Sequence, residues 1–203
     1  MRQNDNKLTL DTYQNNLQAY IDHTPEQINP AEGEWLNDAL ARTPKTGTIL
    51  ELGSGFGRNA VRIQQLGYRI ECTDAVPGFI EILKKQKLNA RLLDALHDDY
   101  GHSLSMVLAN AVLVHFTPEE SQKVFRKASD ALLKNGIFAL SVKLGSGSEW
   151  TNEKLEAPRF FHYWQPDNLK KLATDNGFSW QAEYTGLTSS GKASWLYVIL
   201  TKQ

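Results

Sequence analysis

The sequence predicts an α/β fold, in which a seven-stranded, mostly parallel sheet carries helices on both faces and closes with an antiparallel C-terminal hairpin. From residue 48 onwards, short apolar runs alternate with longer amphipathic stretches, as they do in β-α-β units. Near the C-terminus, two β-rich runs instead flank the turn-forming segment "TSSGK" (188–192). The 203 residues, 41% of them hydrophobic, fit a single domain in which helices over 1–45 precede a sheet region over 46–203.

Two helices are expected before the sheet. The segment "LTLDTYQNNLQAYIDHT" (8–24) has apolar and aromatic residues at helical spacing, namely Leu10, Tyr13, Leu17, Tyr20 and Ile21. A second helix is expected to begin at Asn29-Pro30, because proline suits the first turn of a helix.

Five parallel strands are predicted next, at "TILEL" (48–52), "YRIECT" (68–73), "ARLLD" (90–94), "SMVLAN" (105–110) and "GIFALSVK" (136–143). Helices are predicted over 58–66 and 77–87. A longer helix is expected from the N-cap Thr117 to "LLKNG" (132–136), where Asn135-Gly136 supplies a stop. A last helix in "QPDNLKKLATDNGF" (165–178) leads to the hairpin strands "SWQAEYTGL" (179–187) and "ASWLYVILTK" (193–202).

The turn after the first strand is rich in glycine. In "ILELGSGFGRNA" (49–60), Gly53, Gly55 and Gly57 can adopt positive φ and present no Cβ, so a ligand can approach the backbone. In open α/β sheets this turn lies at the carboxyl end of a strand, where ligands bind. The segment therefore predicts a ligand cradle.

Acidic residues end the first three strands. Glu51 precedes the turn, and Asp74 and Asp94 close the second and third strands. Ionised carboxylates accept hydrogen bonds strongly, which suits the ribose hydroxyls and the adenine amine of an adenosine ligand; the alternative is that these are merely polar strand ends.

Arg58 is unusual because a cation at a helix N-terminus is disfavoured by about 0.3–1 kcal/mol. An anionic ligand group beside it would reverse that cost. The alternative is a surface arginine that pairs with Glu51 or turns into water.

Together with "ECTDAVP", "LLDA" and "LANAVLVHFTPEE", this turn makes the sequence similar to the class I S-adenosylmethionine-dependent methyltransferases, specifically their small single-domain members. The resemblance covers most of the chain and implies a Rossmann-like sheet with S-adenosylmethionine as cofactor. It implies that the glycine turn holds the methionine part of the cofactor, through Glu51, Gly53, Ser54, Gly55 and Gly57; Arg58 is a further candidate cofactor contact on the dipole argument alone. It also implies that Asp74, with Ala75, binds the ribose and that Asp94, with Ala95, approaches adenine.

The resemblance places the reaction centre after the fourth strand, at Asn110 and Ala111, with His115 as the candidate catalytic residue or a structural histidine. It also implies that the N-terminal helices fold over the cofactor, so that Tyr13 or Tyr20 reaches its methionine end. The seven-residue spacing of these tyrosines is equally typical of core packing.

A long segment, "KLGSGSEWTNEKLEAPRFFHYWQPD" (143–167), follows the fifth strand, and long loops in compact domains are often functional. Arg159 is a candidate clamp for an acceptor carboxylate or phosphate. His162 and Tyr163 are further candidate acceptor contacts. The alternative is that this segment only packs on the sheet, as we expect for Phe161 and Trp164.

The function expected from these features is methyl transfer to a small molecule, with no metal, by a cytoplasmic monomer or homodimer. Lys and Arg number 22 against 23 Asp and Glu without a basic block, which argues against nucleic acid as a partner. Cys72 is the only cysteine, and no apolar run approaches the roughly 20 residues of a membrane helix. Two alternatives stay open: a catalytically silent cofactor-binding module acting through a protein partner, and a methyltransferase acting on RNA or protein.

A dinucleotide-dependent oxidoreductase is the main rival class. Its fingerprint is G-x-G-x-x-G, whereas this sequence has G-x-G-x-G. The closing hairpin also favours the methyltransferase topology.

Overall fold

The computed structural model describes residues 4–187, 191 and 194–203, and the side chains from residue 6 onwards. The strands are β1 Thr48–Glu51, β2 Arg69–Asp74, β3 Ala90–Leu92, β4 Leu104–Ala109, β5 Leu132–Lys143, β6 Ser148–Thr151, β7 Arg159–His162, β8 Phe178–Leu187 and β9 Ser194–Lys202. Seven of them form one sheet in the order β3-β2-β1-β4-β5-β9-β8. The first five are parallel, and β9 runs antiparallel to both β5 and β8. The predicted fold is confirmed, although most of the predicted turn at 188–192 lies outside the described residues.

Helices cover both faces of this sheet. They are α1 Asn4–Asn15, α2 Leu17–Asp22, α3 Pro30–Ala41, α4 Arg58–Gln65, α5 Pro77–Lys85, α6 Pro118–Ala131 and α7 Pro166–Asp175, and a 3₁₀ turn spans Leu113–His115. One core is built from α3, α4 and α5 around Trp35, Ile63 and Leu83. The other is built from α6 and α7 around Phe125 and Leu169. Strand β4 is buried along its whole length, as expected for a strand covered on both faces.

Two helix starts follow directly from side-chain chemistry. The Asn29 side chain accepts a hydrogen bond from the Glu32 N–H at 2.9 Å, ahead of Pro30. Thr117 and Glu120 form a reciprocal capping box ahead of Pro118, which confirms Thr117 as the N-cap.

Three elements differ from the sequence-based expectation. The first helix is interrupted at Asn16, whose side chain donates to the Thr12 carbonyl at 2.8 Å. Helix α6 ends at Ala131 because Leu132 is extended and pairs with Leu104 in the sheet; Asn135, at φ 63°, marks an irregularity within β5, not a helix stop. The segment after β5 is not a plain loop but contains the antiparallel ribbon β6–β7.

This ribbon is tied to the N-terminal helices. The Thr12 hydroxyl donates to the Pro158 carbonyl at 2.7 Å, and the Phe160 N–H donates to the Thr9 hydroxyl at 3.1 Å. The Gly78 N–H at the start of α5 donates to Gln14 at 3.0 Å. Helix α1 is therefore held between β7 and α5. Within the described residues, we find no helix with the length and apolar character of a membrane span.

Candidate active site

A cavity lies at the carboxyl ends of β1 to β4, beneath the N-terminal helices. The chain runs from β1 to β2 and β3 on one side and returns through β4 on the other, which opens a crevice at this edge. The cavity contains about 750 Å³ not filled by atoms, part of it open to solvent. The predicted site residues that line it are Tyr13, Tyr20, Gly53, Gly55, Asp74, Ala75, Asp94, Ala95, Asn110, Ala111 and His115.

The three glycines of the turn are required for different structural reasons. Gly53 has φ 62°, and an added Cβ would lie 2.7 Å from a methyl group of Val112. Gly55 has φ 54° and lines the cavity. Gly57, at φ 90°, lies outside the cavity lining, and an added Cβ would come within 2.8 Å of Leu83. Gly57 therefore lets the start of α4 pack closely against Leu83 of α5, and its position does not support the expected cofactor contact.

Ser54 also lies outside the cavity lining. Its hydroxyl accepts a hydrogen bond from the Thr73 N–H at 3.2 Å, and its own N–H donates to the Thr73 carbonyl at 2.8 Å. Ser54 thus joins the glycine turn to β2, which is a structural role.

Asp74 is the buried carboxylate of the cavity, with only 7% of its surface exposed. One oxygen accepts the Gly55 N–H and the other accepts the Val76 N–H, both at 2.9 Å. Burial raises the pKa of Asp74 to about 6, against these backbone hydrogen bonds, which lower it. Its carboxylate therefore gains from any further hydrogen-bond donor that enters the cavity.

Glu51 lies at the end of β1, behind the cavity lining. It is buried, and its Oε2 atom has no hydrogen-bond partner among the described residues. Burial raises the pKa of Glu51 to about 8. A nearby cation would favour the ionised form of this carboxyl group, so the site fits a ligand with an ammonium or sulfonium charge.

Asp94 lies in the turn after β3. Its Oδ1 accepts the Leu96 N–H and its Oδ2 contacts His97 Nδ1, both at 2.8 Å. The carboxylate thereby orders the turn that places Ala95 in the cavity wall.

Asn110 and Ala111 are held in place by two buried side chains. Asn110 donates to Glu32 Oε1 at 2.7 Å and accepts the Ser141 hydroxyl at 2.6 Å. The Ala111 N–H donates to the same hydroxyl at 2.8 Å, and Ala111 has a φ of 59°. A positive φ in a residue other than glycine is strained, and such strain is concentrated at functional sites.

Glu32 is the partner of Arg58, at 2.6 Å from Nη2, while Nη1 of Arg58 donates to the Pro25 carbonyl. Arg58 therefore pairs with an acid, but with Glu32 and not with Glu51, the partner named in the alternative, and Arg58 does not line the cavity. Sequence reasoning missed Glu32, because an acidic residue in a first helical turn is common for reasons of the helix dipole alone.

Tyr13 and His115 meet in the wall of the cavity. The Tyr13 hydroxyl lies 3.0 Å from His115 Nε2, and His115 Nδ1 lies 2.7 Å from the Phe160 carbonyl oxygen. Arg159 Nη1 donates to the Tyr13 hydroxyl at 3.3 Å. Burial lowers the pKa of His115 to about 4, so its imidazole is neutral near pH 7.

The model of a methyltransferase domain family matches residues 20–183 of the chain. The chain belongs to this methyltransferase family. The predicted class, the S-adenosylmethionine-dependent methyltransferases of class I, is thereby confirmed.

Solved structures share the fold of this methyltransferase at low sequence identity. A SAM-dependent methyltransferase from Methanosarcina mazei has a TM-score of 0.74 and 16% identity over 87% of this chain and 98% of its own. A Burkholderia thailandensis 1,6-didemethyltoxoflavin-N1-methyltransferase, with bound 1,6-didemethyltoxoflavin and S-adenosylhomocysteine, has a TM-score of 0.74 and 17% identity over 98% and 87%. The magnesium protoporphyrin IX methyltransferase of Synechocystis PCC 6803, with bound S-adenosylhomocysteine, has a TM-score of 0.74 and 14% identity over 98% and 100%. No curated protein matches the chain by sequence.

The acceptor residues expected in this methyltransferase are not brought together. Arg159 is 5% exposed and lies behind Tyr13, outside the cavity lining. His162 and Tyr163 line a separate open groove, where they contact Ser148 and Glu149 of β6. Arg159 and His162 lie three positions apart in β7, and residues at odd spacing in a strand face opposite sides, so the ribbon cannot direct both to one site. Phe161 and Trp164 are buried in the core, as expected.

The apolar part of the methyltransferase cavity was not predicted. Its wall includes Leu10, Phe79, Val112 and Phe116. Apolar residues at helical spacing predict burial, but the spacing alone cannot distinguish a residue packed in a core from one that lines a ligand cavity.

Proposed function

We propose that this methyltransferase transfers the methyl group of S-adenosylmethionine to a small-molecule acceptor bound beneath its N-terminal helices. The observation that carries the proposal is the covered cavity at the carboxyl ends of β1 to β4. The cavity combines carboxylates and accessible backbone with an apolar wall that includes Phe79 and Val112, as small-molecule sites do.

The residues present fit the cofactor. Asp74 and Asp94 supply carboxylates to the cavity wall, and the backbone of Gly55 is accessible there. Glu51 has a buried carboxyl oxygen without a partner, which favours a cationic ligand group. When bound, S-adenosylmethionine supplies a methyl group that its sulfonium charge makes electrophilic.

The cover of the cavity supports a small acceptor. Helix α1 is tied to β7 through Thr9 and Thr12, and the His23 ring contacts the Lys154 carbonyl at 2.9 Å. Such a cover excludes water and aligns an acceptor with the methyl group, and alignment is worth about 7–11 kcal/mol in favourable systems. Two similar structures are named for their action on 1,6-didemethyltoxoflavin and magnesium protoporphyrin IX, which are small molecules.

The test of cofactor binding is isothermal titration calorimetry with S-adenosylhomocysteine on the wild type and Asp74→Asn. Hydrogen bonds to charged groups are worth about 1.5–3 kcal/mol, so the variant should bind about 10–100-fold more weakly. Glu71→Gln on the same strand is the matched control, because Glu71 pairs with Arg91 at 2.7 Å away from the cavity. Equal affinities of Asp74→Asn and the wild type would remove Asp74 from the site.

The test of the acceptor class uses S-adenosylmethionine with a labelled methyl group and a cell extract separated into small molecules, RNA and protein. Label in the small-molecule fraction supports the proposal. Label in RNA or protein would identify a macromolecular acceptor instead. Cofactor binding without label in any fraction would favour a silent module that acts through a protein partner.

A further inference from the structure

The hydrogen bonds around His115 have a defined direction. A carbonyl oxygen can only accept, so the nitrogen of His115 that faces Phe160, at 2.7 Å, carries the hydrogen. A neutral imidazole has one N–H, and burial lowers the pKa of His115 to about 4. Its Nε2 atom therefore has a free lone pair, and the Tyr13 hydroxyl at 3.0 Å donates to it.

The Tyr13 oxygen receives a hydrogen bond from Arg159 at 3.3 Å, and Tyr13 lines the cavity. Arg159 is 5% exposed and, within the described part of the chain, forms no ion pair with a carboxylate. A buried cation without a counter-ion is costly. Electron density that shifts onto the Tyr13 oxygen as its proton is withdrawn would lower this cost.

We propose that Tyr13 and His115 act together as the base of the methyl transfer, with Tyr13 in contact with the acceptor and Arg159 as a positioning residue. The proposal rests on the proposed function and deepens it. It names the acceptor class as a small molecule whose nucleophilic atom, a hydroxyl oxygen, a thiol sulfur or an N–H nitrogen, carries a proton to be removed.

The step balances in atoms and charge. The acceptor proton moves to the Tyr13 oxygen while the Tyr13 proton moves to His115 Nε2. The electron pair left on the acceptor forms the bond to the methyl carbon, and the pair of the broken carbon–sulfur bond stays on sulfur. One positive charge leaves sulfur and one appears on the imidazole, whose two N–H groups then face Tyr13 and the Phe160 carbonyl. The net charge of the site is unchanged, while the positive charge moves to an imidazole that burial, Arg159 and Lys143 make weakly basic.

The first experiment measures the tautomer of His115 without an acceptor. The protein with ¹⁵N-labelled histidine, saturated with S-adenosylhomocysteine, is studied by long-range ¹H–¹⁵N correlation NMR at neutral pH, and His115→Gln assigns the signal. We expect the neutral tautomer with hydrogen on Nδ1, and a changed Nε2 shift in Tyr13→Phe, which loses the donor. Hydrogen on Nε2, in the other tautomer or in an imidazolium, would overturn the proposal because that nitrogen could not accept a proton.

The second experiment measures labelled methyl transfer into the small-molecule fraction. General-base catalysis typically contributes about 10²–10⁴-fold, so Tyr13→Phe should reduce the rate by that factor, with S-adenosylhomocysteine affinity changed less than about twofold. Tyr68→Phe is the control, since it loses a buried hydroxyl that donates to the Leu40 carbonyl, away from the cavity. Arg159→Gln should lower the rate at saturating S-adenosylmethionine without changing KM for it; a change in KM alone would contradict its positioning role.

The two proposals fail in different ways. Equal transfer by the wild type and Tyr13→Phe would overturn the base assignment and leave the methyltransferase function intact. If the folded wild type did not bind S-adenosylhomocysteine, the proposed function itself would be refuted.

Discussion

Glu51→Gln should stabilise this protein, and increasingly so as the pH rises. Glu51 is 3% exposed, its Oε2 atom is unpartnered among the described residues, and burial raises its pKa from 4.5 to about 8. The folded state therefore keeps a proton on Glu51 that the unfolded state has already lost. Because the folded state binds more protons in this range, the free energy of unfolding falls with rising pH.

The magnitude follows from the pKa difference. One pKa unit corresponds to about 1.4 kcal/mol, so the full loss is on the order of 5 kcal/mol. The loss is absent below about pH 4.5, grows between about pH 4.5 and 8 and is complete above, which is the window set by the two pKa values. Glutamine has nearly the same shape as glutamate and no charge, so Glu51→Gln should not lose stability in this way as the pH rises.

The assay is urea unfolding of both proteins at about pH 5 and about pH 8.5. We expect similar stabilities at the lower pH and an advantage of about 3–5 kcal/mol for Glu51→Gln at the higher pH. Glu71→Gln is the control, since Glu71 is part-exposed and paired with Arg91; it should change stability by at most about 1 kcal/mol at either pH. A difference between Glu51→Gln and the wild type that stays constant with pH would refute the reasoning.

Two further changes separate structural from ligand-binding roles. Gly57→Ala should destabilise the fold by about 1–3 kcal/mol, because a positive φ is strained in alanine and the new Cβ would approach Leu83. The folded Gly57→Ala protein should keep its affinity for S-adenosylhomocysteine. Gly55→Ala should instead weaken that affinity, and calorimetry with S-adenosylhomocysteine distinguishes the two variants. Glu32→Ala should lower the free energy of unfolding, measured with urea, by about 2–3 kcal/mol. The loss should be smaller than for breaking a fully buried ion pair, because the Arg58 side chain is 23% exposed. Its control, the exposed Glu34→Ala on the same helix, should stay within about 0.5 kcal/mol, and a similar loss there would contradict a specific role of Glu32.

Much of the fold could be predicted from the sequence because its signals are local. The alternation of apolar runs with amphipathic stretches predicts the parallel strands and their helices. Asn29-Pro30 and Thr117-Pro118 predict two helix starts, because a cap and a first-turn proline act within a few residues. Acidic strand ends predict carboxylates at one edge, and Asp74 and Asp94 line the cavity there.

The end of α6 shows where local signals fail. Asn135-Gly136 is a sound helix stop, yet the helix ends at Ala131 because Leu132 pairs with Leu104 across the sheet. A strand partner that lies far away in the chain outweighs a local preference that is worth less than about 1 kcal/mol per residue.

The side-chain partners of the site depended on the tertiary structure alone. Arg58 could pair with any nearby acid, and only the packing of α3 against α4 makes Glu32 its partner. Tyr13 meets His115 and Arg159 because α1 lies over the sheet beside β7, although these residues are 102 and 146 positions away in the chain. Local sequence determines which elements form, since its interactions span a few residues, whereas the path of the folded chain decides which of their side chains share a cavity.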